Sequence, residues 1–111
     1  MRIEEQRHGA VTVVKPEGPL IGSDAEALAT KLSDVRVASM GRMALDMSAT
    51  PYVDSEGLAA LVKATESMGS SGQVLRLCGV NETIREVLEL TELSSLFDHY
   101  KDANSAVRSF I

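Results

Sequence analysis

Cysteine is nearly missing from this sequence. Cys78 is the only one, so no disulfide can form within the chain. Tryptophan is absent, and the aromatic residues are Tyr52, Phe97, Tyr100 and Phe110. A core must therefore come mostly from Leu, Val, Ile, Ala and Met. Basic residues are the minority: Lys and Arg number 11 against 16 Asp and Glu, a net charge of −5. Phosphate backbones are bound through a basic footprint, so this balance argues against nucleic acid as the main partner. No apolar run approaches the roughly 18 residues of a membrane span, which excludes membrane insertion as the expectation. Met1-Arg2-Ile3-Glu4-Glu5 lacks the apolar stretch of a signal peptide. A cytoplasmic location is the simplest expectation from these absences.

Enzymatic signatures are missing as well. His8 and His99 stand at opposite ends of the chain, with no flanking ligand pattern. No Cys or His pair has metal-ligand spacing, and no Gly-x-Ser-x-Gly elbow occurs. Gly69-Ser70-Ser71-Gly72 falls short of a phosphate-binding loop and reads as a flexible turn. Cys78 follows the apolar run Val74-Leu75-Arg76-Leu77, which makes it a core residue more readily than a nucleophile. No catalytic residue, metal or cofactor is expected. The chain reads as a protein that binds other proteins.

What is present is a globular balance, 44% hydrophobic and 24% charged residues, in a length of 111 residues that suits one domain. Val11-Thr12-Val13-Val14 is a β-branched run that predicts a buried strand, with Ile3 to Gln6 as an edge strand paired across a His8-Gly9 turn. Pro16 to Pro19 breaks the chain. Ser23 or Asp24 can then cap a helix carrying Ala25, Leu28, Ala29, Leu32 and Val35 at helical spacing. Met43 to Met47 predicts a second buried strand and Val74 to Cys78 a third. Between them, a helix opening at Asp54-Ser55 carries Leu58, Leu61, Val62, Thr65 and Met68 on one face. Asn81 caps a helix with Ile84, Val87, Leu88 and Thr91, Phe97 to Tyr100 suggests a short strand, and Asp102 caps a last helix. Strands alternating with helices predict an α/β fold whose sheet is parallel in its later part. No repeat, linker or low-complexity tract interrupts it, so a single domain over residues 1–111 is expected.

The local feature that stands out is Asp54-Ser55-Glu56-Gly57-Leu58. Ser55 falls in the first helical turn or just before it. Backbone N–H groups are unpaired there, and the helix dipole favours negative charge. Such a place can accept a phosphate without disrupting the fold. The plainer alternative is that Asp54 or Ser55 is only a helix cap.

Leu45-Asp46-Met47-Ser48 followed by Tyr52-Val53-Asp54-Ser55-Glu56-Gly57-Leu58 resembles the signature of the STAS family of anti-sigma factor antagonists. In that family a strand ends in Asp-x-Ser, and an aromatic and an aliphatic residue precede Asp-Ser-Ser/Thr-Gly-Leu. The likeness extends over Glu17-Gly18-Pro19-Leu20 through Leu32, Leu75 to Val80, and Ile84 through Leu93 and Phe97. The resemblance implies a four- or five-stranded mixed sheet with helices packed mainly on one side. It also implies a partner switch. A protein kinase that is itself the anti-sigma factor phosphorylates the serine after the Asp, and the unphosphorylated protein binds that kinase and frees the sigma factor. A serine phosphatase resets the cycle. Carried over by position, Ser55 would be the phosphoacceptor, and Asp54, Ser55, Glu56, Gly57 and Lys63 would form the partner surface.

Three residues depart from the family pattern. Glu56 stands where Ser or Thr is usual, Ile21 where many phosphorylated members carry an acid after Gly-x-Leu, and Ala59 at a frequent glycine. The first two also suit a second reading: a module that binds without being switched, such as a subunit docked on the ATPase of a lipid-transporting ABC system, or a signalling scaffold. A weak homodimer through the first strand is a further expectation.

Overall fold

The computed structural model describes residues 1–111. Ten elements follow in chain order: β1 (Arg2–His8), β2 (Val11–Glu17), α1 (Gly22–Ser39), β3 (Met43–Asp46), α2 (Ser55–Gly69), β4 (Arg76–Cys78), α3 (Glu82–Leu90), a 3₁₀ turn (Ser94–Leu96), β5 (Asp98–Tyr100) and α4 (Ala103–Arg108). The sheet order is β1-β2-β3-β4-β5. β1 and β2 are antiparallel and joined by the two-residue turn Gly9-Ala10, where Gly9 takes φ 64°. Positive φ is what such a tight hairpin asks for, and glycine supplies it without a Cβ clash. Every later neighbour is parallel, each reached through a helix. The alternation of strand and helix thus gives the mixed sheet it predicted.

The two faces of the sheet are covered unequally. Val14, Leu45 and Leu77 stand side by side across β2, β3 and β4 and are fully buried. They belong to the main core with Leu28 and Leu32 of α1, Leu61 and Met68 of α2, and Ile84 and Leu88 of α3. The opposite face carries the small side chains Ala44 and Cys78, and α4 lies against them through Ala106. Three helices on one face and one short helix on the other match an arrangement mainly on one side. On that second face the Arg76 guanidinium lies 3.5 Å from the centre of the Phe110 ring, a cation–π contact.

Capping follows the sequence at α3 and α4, falls to Asp54 and not Ser55 at α2, and departs from the sequence at α1. Asp54 accepts from Gly57 N–H at 2.8 Å, Asn81 from Ile84 N–H at 2.9 Å and Asp102 from Ser105 N–H at 2.8 Å. At α1 neither Ser23 nor Asp24 is the cap. The helix begins earlier, at Gly22 with φ 53°, behind Ile21, whose side chain cannot cap. The orphan N–H of Gly22 is served from another part of the chain, as described below. At its other end α1 closes on Met40 in the left-handed region, followed by Gly41 at φ 81°.

Candidate functional site

Because β2 and β3 are parallel, their carboxyl ends lie side by side, and so do the loops that leave them. In open α/β sheets ligand sites lie outside the carboxyl ends of the strands. Here the two loops are laced together. Gly18 N–H donates to the Ala49 carbonyl at 2.9 Å, Leu20 N–H to that of Tyr52 at 3.1 Å, and Asp54 N–H to that of Leu20 at 3.3 Å. Leu20 and Val53 pair as an isolated parallel bridge, so the sheet resumes for one rung beyond the strand ends. The buried Thr50 hydroxyl adds a bond to the Pro16 carbonyl.

Gly57 is required by this closeness. A Cβ on it would fall 2.3 Å from the Leu20 carbonyl oxygen, a distance no side chain tolerates. Gly57, expected on the partner surface, is buried and belongs to the packing between the loops. Leu20, on which it rests, is fully buried.

Asp54 holds the site together electrostatically. One carboxylate oxygen takes the Gly57 N–H, capping α2, and the other takes the Gly22 N–H at 3.1 Å, at the start of α1. One side chain therefore serves the amino termini of two helices 32 residues apart. The Gly57 N–H is the main reason its carboxyl sits below the usual carboxylate range; partial desolvation opposes this and the Gly22 N–H adds to it.

With Asp54 as the cap, Ser55 is left at the first position of α2 with its side chain exposed. Glu56 is exposed beside it, and its carboxylate leans toward Gly22, 3.9 Å from the place a Cβ would occupy there. Two apolar side chains frame this acidic tip: Ile21, 37% exposed, and Tyr52, 49% exposed. Their outward placement was not legible in the sequence. The bridge at Val53 is the reason, since it turns the neighbouring Tyr52 outward.

Lys63 is exposed but two helical turns further on, about 12 Å along the axis from Ser55. It shares with Glu56 a shallow groove of about 250 Å³ between α1 and α2, floored by Ala25, Ala29, Ala59 and Ala60. Asp54, Ser55 and Glu56 are thus brought together at the tip, Gly57 lies beneath them, and Lys63 lies down the flank.

No cluster of three His, Cys, Asp or Glu side chains is placed to hold a metal ion. Cys78 is fully buried and bonds weakly to the Leu45 carbonyl, and burial pushes its thiol up to about 12, far from thiolate reactivity. His99 is tied to Ser94, at 2.8 Å from its carbonyl. No helix is long and apolar enough to cross a membrane.

A family model described as the STAS domain matches residues 2–106. Among solved structures, a Thermotoga maritima protein, a candidate anti-sigma factor antagonist, superposes with a TM-score of 0.86 at 23% identity, over 96% of this chain and 92% of that one. The phosphorylated form of SpoIIAA, a cell fate determinant of Bacillus, matches with a TM-score of 0.73 at 14% identity, over 99% of this chain and 100% of that one. The murine solute carrier 26 family member A9, an anion transporter, matches with a TM-score of 0.70 at 20% identity, over 94% of this chain but only 18% of the transporter. At these identities the likeness establishes a shared fold.

Proposed function

This chain belongs to the STAS domain family, and we propose that it acts as an anti-sigma factor antagonist, a binding protein and not an enzyme, switched by phosphorylation of Ser55. The unmodified protein binds an anti-sigma factor that is also a serine kinase, and so regulates transcription by releasing a sigma factor. A serine phosphatase restores the binding form. The observation that carries this reading is the division of labour at the start of α2. Asp54 does the capping, and Ser55 is exposed at the first helical position, where a phosphate meets free N–H groups and the positive end of the helix dipole.

The energetics of such a switch are sufficient. A phosphate adds about −1.5 to −2 charges. One like-charge contact at about 5 Å with an effective dielectric near 20 costs roughly 3 kcal/mol. Since about 1.4 kcal/mol is tenfold in affinity, one such contact weakens a complex by about two decades. Asp54 and Glu56 already make the tip acidic, so an acidic surface across the interface, such as the phosphates of a kinase-bound nucleotide, feels the added charge strongly. Ile21 and Tyr52 supply the apolar contact area beside it.

A second reading draws on Ile21 and Glu56. An apolar residue beside the tip and a fixed carboxylate next to Ser55 suit a domain that docks permanently, as a scaffold or transporter subunit would. The two readings separate in a pull-down with wild type, Ser55→Ala and Ser55→Asp as baits. Capture of a serine kinase by the first two baits and not by the third supports the switch. Capture of one common partner by all three sinks it and favours the constitutive module.

A further inference from the structure

The double use of Asp54 has a consequence beyond capping. Near the tip, α1 has no side-chain cap of its own, because Ile21 occupies that position. Its Gly22 N–H finds its acceptor 32 residues away, on the residue directly before Ser55. The same two loops meet through Leu20, whose N–H and carbonyl are both engaged by the Tyr52–Asp54 segment, and the buried Gly57 packs on that carbonyl. Ile21, Gly22 and Ser55 therefore belong to one surface held by one carboxylate.

We propose that Asp54 is a positioning residue that clamps the β2–α1 loop to the start of α2, and that phosphate on Ser55 opens this clamp at Gly22. The second half rests on the reading of Ser55 as the phosphoacceptor. A phosphate at the first position of α2 competes for the N–H groups of the first turn, the Gly57 N–H among them, and repels the neighbouring carboxylate. The Asp54 side chain is displaced, and Gly22 loses its acceptor. Modification then changes two things a partner can read: the charge of the tip, and the position of Ile21 beside it. The Glu56 carboxylate, already lying toward Gly22, adds to the repulsion.

Asp54→Asn isolates the clamp from the cap. Asparagine is as good an N-cap as aspartate, so its single oxygen retains the Gly57 N–H. Its amide nitrogen then faces the Gly22 N–H, donor against donor, and that bond is lost. Amide hydrogen exchange followed residue by residue by NMR reads the outcome in wild type, in Asp54→Asn, and in protein carrying phosphoserine at position 55 introduced by synthesis. The expected result is Gly22 exchange about tenfold faster in both altered proteins, with core amides such as Leu45 and Leu77 unchanged. A general loss of stability would instead accelerate the core as well. Wild-type protection of both Gly22 and Gly57 in Asp54→Asn overturns the clamp, since one amide oxygen cannot replace both carboxylate oxygens. Faster exchange in Asp54→Asn but not in the phosphoserine protein overturns the coupling. Neither readout needs a partner, so failure of the partner-switch reading shows separately, as equal capture by the three Ser55 baits.

Discussion

Asp54 and Asp102 begin as the same local device. Each precedes a helix, each accepts the N–H three residues on at 2.8 Å, and each is held below the usual carboxylate range chiefly by that bond. They part at the second oxygen. At Asp54 it reaches the first N–H of α1 across the sheet edge, while Asp102 takes no bond from beyond its own turn and lies near Lys101 and Arg108. Asn81 falls between the two. Its oxygen caps α3, and its amide nitrogen donates to the carbonyls of Pro51 at 2.9 Å and Thr50 at 3.4 Å, bracing the loop that leads into Ser55. A cap is thus a local element that becomes part of a site only when a neighbouring strand end comes within reach of its spare atoms.

That contrast breaks most severely at Gly57. Gly57→Ala places a Cβ against the Leu20 carbonyl, so the two loops must separate. The gain in helix propensity offsets only part of the strain, and a net loss of about 2 kcal/mol is expected, read as a lower melting temperature. Gly69→Ala, at a helix end with open space around its Cβ position, serves as the control and leaves melting near that of wild type.

A smaller effect separates the two aspartates. Asp54→Ala and Asp102→Ala each remove one cap, but the first also orphans Gly22. The melting temperature falls further for Asp54→Ala than for Asp102→Ala, and equal shifts would show that the Gly22 bond adds nothing. Asp102→Ala leaves partner capture unchanged, whereas Asp54→Ala weakens it.

The gentlest probe is acid. Both carboxyls are depressed in the folded state, so their contribution is full above the unfolded value near 3.9 and is lost as pH falls through their lower folded values. The difference in stability between wild type and each alanine variant is therefore constant from neutral pH to about pH 5 and shrinks below pH 4. Chemical denaturation at a series of pH values measures it. A difference that grows on acidification contradicts the assigned hydrogen bonds.

Much of this arrangement is legible in the residue order, because the signals are local. Asn81, Asp102 and Asp54 announce their helices, since a capping side chain bonds only three residues ahead. The β-branched run at Val11 to Val14 and the apolar runs at Met43 and Val74 announce buried strands, although the paired segments are shorter in the last two, Met43–Asp46 and Arg76–Cys78. Ser55 stands out for the same reason, as the residue after a cap. The start of α1 was not legible, and Ser23 and Asp24 mislead there as plausible caps, because the true acceptor for Gly22 lies 32 residues away. Thr65 misleads in a similar way: it falls on the apolar face of α2, yet its hydroxyl is a structural link that donates to the Leu96 carbonyl and accepts the Leu75 N–H.

The sequence alone determined the order of strands and helices, the capping residues of α3 and α4, and the placing of a serine at the start of α2. These depend on φ/ψ preferences, on hydrophobic period and on hydrogen bonds that close within one turn. The tertiary structure decided that Asp54 joins two helices, that Gly57 must be glycine, that Ile21 and Tyr52 point outward, and that α4 covers the far face of the sheet. Each of these rests on contacts between segments distant in the chain. Such contacts exist only once parallel pairing of β2 with β3 has set the two loops side by side.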